Sequence, residues 1–215
     1  GAGSLFAPDF LAELGCDVVR LHDQLPGRFE RGPEPTPANL QVLCNAVKEN
    51  DCVLGFAQDP DGDRLAIVDS TGQTIGENYT LVLAVEHVLR RQGPGPVVAN
   101  LASTKAVEDV VQAAGGALHY SRIGEINVTT EMLRLGASIG GEGNGGVIWP
   151  QVHPCRDSFA AMALVLEMMA HRAQSVDEIL KGLPAYASYS VKVECPPAEA
   201  VDAVVEREGD EDDVV

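Results

Sequence analysis

CVLGFAQDPDGDRLAIVDS, residues 52–70, runs an almost unbroken apolar stretch into three aspartates at alternate positions, then resumes as a second apolar stretch. The first run has the length and apolar content of a buried strand, and it delivers the chain directly to Asp59. RLAIVDSTGQTI (64–75) leaves as a second strand ending in a turn. Asp59, Asp61 and Asp63 put like charges within five residues, an arrangement that repels itself unless a cation or water separates the carboxylates. Hard carboxylate oxygens suit Mg²⁺ or Ca²⁺.

Outward from this segment, helix-like and strand-like periodicities alternate, as in an α/β protein. Upstream, FAPDFLAELG (6–15) predicts a short helix closed by Gly15 and CDVVRLHD (16–23) a strand. A loop rich in Pro and Gly then leads to the helix ANLQVLCNAVKEN (38–50), with Pro37 placed to start it. Downstream, YTLVLAVEHVLRR (79–91) reads as an amphipathic helix. QGPGP (92–96) breaks both patterns and marks the expected domain boundary. Beyond it come strand VVANLA (97–102), helix KAVEDVVQAAGG (105–116) with Ser103 or Thr104 as cap, strand ALHYSRI (117–123) and helix NVTTEMLRLG (127–136). ASIGGEGNGGVIWP (137–150) reads as a glycine-rich loop with a strand behind it. DSFAAMALVLEMMAHR (157–172) is a helix capped by Asp157, and SVDEILKGLP (175–184) a last short one. YASYSVKVECP (186–196) is strand-like, and EREGDEDDVV (206–215) is too acidic to pack alone. The expectation is two similar three-layer α/β domains with mixed, mostly parallel sheets, over 1–92 and 93–183. Residues 184–215 would open a further domain or form an acidic tail.

Bulk composition narrows the partners. The 215 residues carry a net charge of −17, against the basic face that nucleic acid or an anionic membrane surface requires. Apolar residues make up 45%, but no run reaches the length of a membrane span. The five scattered cysteines contain no C-x-x-C pair, which predicts neither a disulfide framework nor a zinc site and places reduced thiols in the cytoplasm.

An EF-hand counted from Asp59 needs Gly at its sixth place and Glu at its twelfth, where Arg64 and Ser70 stand. That reading fails. A haloacid-dehalogenase-type phosphatase would use Asp59 as nucleophile and Asp61 as acid, a pattern that Gly62–Asp63 fits poorly. It remains the alternative, beside a non-catalytic protein that binds a metal or a sugar phosphate.

GFAQDPDGDRLAIVDSTGQTIGEN (55–78) also resembles the metal-binding loop of the α-D-phosphohexomutases, the family of phosphoglucomutase, phosphomannomutase and phosphoglucosamine mutase. LPGRFERGPEPTPANLQVL (25–43) is similar to the family's upstream stretch. SRIGEINVTTEM (121–132) resembles its loop for recognising the sugar phosphate, and GGEGNGGVIWP (140–150) its sugar-binding loop. The four matches fall in family order.

The resemblance implies a mutase that moves phosphate between the 1- and 6-positions of a hexose through a phosphoserine and a bisphosphorylated sugar. It implies Mg²⁺ held by Asp59, Asp61 and Asp63, and Arg64 as a catalytic residue beside the transferring phosphate. Glu142, Gly143, Asn144 and Gly124 are implied as substrate-binding residues. Such chemistry is mainly positioning and charge neutralisation, which suits acids around a cation and an arginine fork on phosphate. GEGNGG leans towards phosphoglucosamine mutase-like members. Gly146 stands where many bacterial members have His, and Ala102 where some have Lys, so the general acid and base stay unassigned. The match covers the second and third of the family's four domains. No serine here is followed by His, as the phosphoserine motif requires, so the chain alone is expected to be inactive without domains 1 and 4.

Overall fold

The computed structural model describes residues 1–24 and 27–187. Helix α1 (Ala7–Glu13) is followed by α2 (Gln41–Glu49), with Pro37 opening a separate 3-10 turn, Pro37–Asn39, ahead of it. The two apolar runs around the aspartates form β1 (Leu54–Gln58) and β2 (Leu65–Asp69), paired antiparallel with Leu54 opposite Asp69 and Gln58 opposite Leu65. Successive β2 side chains point to opposite faces. Ala66 and Val68 therefore meet Leu40, Cys44 and Val47 around α2, while Leu65 and Ile67 enter the main core.

The larger sheet is built from β3 (Pro96–Asn100), β4 (Ala117–Ser121), β5 (Ile139–Glu142) and β6 (Gly146–Ile148), in the order β4-β3-β5-β6. β3 is parallel to both β4 and β5, and β6 returns antiparallel along β5. Helices α3 (Glu77–Gln92), α4 (Ala106–Ala113) and α6 (Ser158–Arg172) are grouped on one face of this sheet, with α5 (Glu125–Leu135) on the other. Val97 and Ala99 face the first group and Val98 faces α5, so one strand feeds both cores. α7 (Val176–Leu180) follows α6. Among the described residues no helix is long and apolar enough to cross a membrane.

The α/β class and the mixed sheet stand; two details depart from expectation. CDVVRLHD forms no strand, and the described sheet beside it is only the antiparallel β1–β2 pair rather than a mostly parallel one. An alternating pattern becomes a strand only against a paired edge. Here Val19 and Leu21 are exposed, and a cavity of about 220 Å³ lies between this segment and β1. Secondly, the glycine-rich stretch is a hairpin, β5–β6, rather than a loop before one strand. Its glycines serve close packing: a Cβ on Gly140 would sit 2.5 Å from both Met132 Sδ and Val98 O. The strand-like 186–196 segment lies, past Ala187, outside the described residues, as does the acidic tail.

Candidate functional site

In parallel sheets ligands gather beyond the carboxyl ends of the strands. β3 ends at Asn100, β4 leads to Gly124 and β5 ends at Glu142, so these three residues meet there. Glu142 is 3% exposed. Its Oε1 accepts from Asn100 Nδ2 at 2.8 Å and from the Gly124 amide at 2.9 Å, and its Oε2 accepts from Arg156 Nη1 at 2.5 Å. Asn100 is itself held by Ser103 Oγ, which donates to its Oδ1 at 2.9 Å. Gly143 passes so close to the 102–103 backbone that a Cβ would lie 2.8 Å from Ala102 O. Asn144 Oδ1 accepts from the Gly146 amide at 3.3 Å and closes the hairpin turn.

The aspartate loop folds around Asp59. Its Oδ1 accepts from the amides of Gly62, Asp63 and Arg64, each at 3.1 Å, which turns the chain tightly between β1 and β2. Gly62 takes φ +79°, a conformation other residues adopt at a cost. Asp59 is buried, Asp63 half-buried and Asp61 exposed, and one oxygen from each lies within 4.8 Å of the others. Burial works against the charged form of Asp59, but the hydrogen bonds from Arg64, a hydrogen bond with Asp63 and the charge of Arg64 together hold this carboxyl below its usual range. Burial, followed by hydrogen bonding with the neighbouring Asp59, pushes Asp63 up to about 6, against the pull of Arg156.

Arg64 donates from Nε to Asp59 Oδ2 and from Nη1 to Glu34 Oε2, both at 2.6 Å. It therefore sits beside the loop as an ion-pair partner of Asp59 and Glu34. Upstream, Arg31 Nη2 donates to the carbonyl of Gln58 at 2.5 Å and props the end of β1.

The two halves join closely at this point. The Leu65 amide donates to Gly145 O at 3.1 Å, and Ser158, at the start of α6, donates to Gly62 O. The positive end of α6 thus abuts the acidic loop. Arg156 Nη2 donates to Asp63 Oδ2, bridging the aspartate loop to Glu142.

Sequence reasoning named Asp59, Asp61, Asp63, Arg64, Gly124, Glu142, Gly143 and Asn144. It missed Asn100 and the bridging role of Arg156. Asn100 carried a signal, a polar residue ending an apolar strand. In HPCRDS (153–158), His153 and Arg156 before a helix read either as a phosphate-binding N-terminus or as two exposed side chains beside a cap, and neither reading foresees the bridge. The cap itself forms, with Asp157 accepting from the Phe159 amide at 2.8 Å.

Residues 1–72 match the family model described as phosphoglucomutase/phosphomannomutase, alpha/beta/alpha domain II, and residues 76–186 match that for domain III. The chain belongs to the α-D-phosphohexomutase family. Among phosphohexomutase relatives, a "Probable phosphoglucosamine mutase" of Methanopyrus kandleri is 33% identical over 197 residues, 91% of this chain and 44% of the relative. A "Phosphoglucomutase/phosphomannomutase" of Thermococcus kodakarensis is 35% identical over 89% of this chain and 42% of its own length. A solved phosphoglucomutase/phosphomannomutase family protein from Burkholderia thailandensis superposes with a TM-score of 0.81 at 30% identity, over 88% of this chain and 42% of that one. The chain thus spans under half the length of these relatives.

Proposed function

We propose that this chain carries the metal-binding and sugar-binding halves of a phosphohexomutase that interconverts hexose 1-phosphates and 6-phosphates, with a lean towards phosphoglucosamine mutase. The observation that carries the reading is the meeting of Asp63 and Glu142, far apart in sequence, on one half-buried arginine, Arg156. Phosphoryl transfer and hexose recognition require a charge-neutralising site beside a hydroxyl-binding one.

The residues present fit Mg²⁺. Three aspartate oxygens converge, and Asp63 Oδ1 is buried without a hydrogen-bond partner among the described residues, so it retains an unused acceptor. Asp59, Asp61 and Asp63 would hold the ion, which would supply charge neutralisation for the transferred phosphate. Arg64 is set to exchange its partners Asp59 and Glu34 for phosphate oxygens, which its planar fork matches. Gly124, Glu142, Gly143 and Asn144 line the side where hydroxyls are recognised. Glu142 already accepts three hydrogen bonds, leaving room on its carboxylate for about one hydroxyl donor.

Asp59 makes a poor phosphatase nucleophile, since in-line attack needs room for a phosphate beside a side chain that is fully buried, whereas a small cation needs only the lone pair that Oδ2 keeps beside its one bond from Arg64. In this reading the phosphoserine comes from domain 1 and the grip on the non-reacting phosphate from domain 4.

The test is phosphorus NMR with Mg²⁺, a trace of hexose bisphosphate, and glucosamine, glucose or mannose 1-phosphate in turn. The gene's full-length product is expected to form a 6-phosphate, and this chain alone to form none. Turnover by the chain alone refutes the division of labour. An aspartyl phosphate that vanishes with Asp59→Asn refutes the mutase reading.

A further inference from the structure

Arg156 meets three carboxylates, as Arg64 does, but Arg156 alone of the two joins the aspartate loop to Glu142. Nη2 donates to Asp63 Oδ2, Nη1 to Glu142 Oε2 at 2.5 Å, and Nε lies 3.6 Å from Glu125 Oε2. Its own amide donates to Glu125 Oε1 at 2.8 Å, so backbone and side chain grip the start of α5 together. Only 16% of the side chain is exposed. Its stem presses on the hairpin, where a Cβ on Gly146 would lie 2.3 Å from Arg156 Cδ. The side chain therefore has little room to swing elsewhere.

A guanidinium is a rigid planar fork whose nitrogens cannot move independently. Any change in its bond to Asp63 must alter its bond to Glu142. Glu142 in turn accepts from the Gly124 amide and from Asn100 through its other oxygen. One continuous path thus runs from Asp63 through Arg156 and Glu142 to Gly124.

We propose that Arg156 is a positioning residue that couples the aspartate loop to the sugar-binding loop, transmitting occupancy of Asp59, Asp61 and Asp63 by a divalent cation to Glu142 and Gly124. The inference rests on the reading of those aspartates as the cation site. A cation there competes for Asp63 and repels the guanidinium, which tilts towards Glu125, 3.6 Å from Nε, and so changes the angle of its bond to Glu142. By linkage, a ligand that reorders Glu142 alters cation affinity by the same factor.

The experiment is a Mg²⁺ titration of this chain followed by amide proton–nitrogen NMR, at ionic strength matched with NaCl. The amides of Gly62, Asp63 and Arg64, which all bond to Asp59, report the cation directly. The Gly124 amide reports Glu142. In the wild type both sets are expected to shift with one shared midpoint. In Arg156→Gln the first set still shifts and the Gly124 response is lost; in Arg156→Lys, which keeps the charge but not the fork, part of that response returns. A Gly124 amide unmoved in the wild type overturns the proposal, even if Arg156→Gln does not fold. An equal Gly124 response in Arg156→Gln also overturns it. If Gly62, Asp63 and Arg64 do not respond at all, the cation reading itself fails and takes the proposal with it.

Discussion

Replacing Gly145 with alanine separates backbone strain from contact between the two loops. Gly145 has φ +89°, and its carbonyl accepts from the Leu65 amide, at the first residue of β2 beyond the aspartate loop. A Cβ there would lie 2.5 Å from Leu65 O. That oxygen cannot retreat easily, because Thr80 Oγ1 donates to it at 2.8 Å and Leu65 is paired with Gln58 in the sheet. Gly136 provides the control: it also has positive φ, +62°, but a Cβ there meets nothing within 4 Å. Left-handed strain alone makes Gly136→Ala cost about 1–2 kcal/mol. Gly145→Ala adds about 1–3 kcal/mol for a forced backbone displacement, so its expected total is roughly 2–5 kcal/mol, centred near 3.5. Across a chain of this size those costs lower Tm by about 4 °C and about 10 °C respectively. Urea denaturation followed by fluorescence of the single tryptophan, Trp149, measures both differences, provided the m-value stays constant. If Gly145→Ala costs no more than Gly136→Ala, the β5–β6 hairpin does not rest on β2 and the joint between the two halves is wrong.

Two further expectations concern the charges. Cation binding should weaken as pH falls below about 6, because Asp63 must then lose a proton to serve as a ligand. Mn²⁺ titrations at pH 5, 6 and 7 check this, with a limiting slope of about tenfold per pH unit for one proton. The same raised value means the cation-free folded state holds more protons than the unfolded chain between 3.8 and about 6. Its contribution to stability therefore falls as pH rises through that window, so a cation-free chain whose stability climbs there would show that Asp63 is not the controlling group. Asn100→Asp sets a second carboxylate against buried Glu142, removing the 2.8 Å bond from Nδ2. It is expected to cost on the order of 3 kcal/mol at neutral pH and to recover as pH falls towards 5, measured by urea denaturation. A loss independent of pH would mean that geometry rather than charge is at stake.

The sequence by itself determined everything that depends on neighbours along the chain. Period and punctuation placed α3, α6 and the strands flanking Asp59, and the alternate aspartates folded into one turn because Asp59 reaches the amides only three to five residues ahead. GEGNGG stood out for its glycines, but local pattern could not show that Gly143 and Gly145 let the β5–β6 hairpin approach the backbones of Ala102 and Leu65. It could not show that CDVVRLHD stays apart from β1 across a cavity, nor that α3, which stops at Gln92 before QGPGP, packs on the sheet that follows. Only the tertiary structure decided that Arg156 lies between Asp63 and Glu142. Hydrogen bonding and packing between elements depend on which surfaces meet in space, and a single arginine before a helix cap carries no period that records where its far end will go.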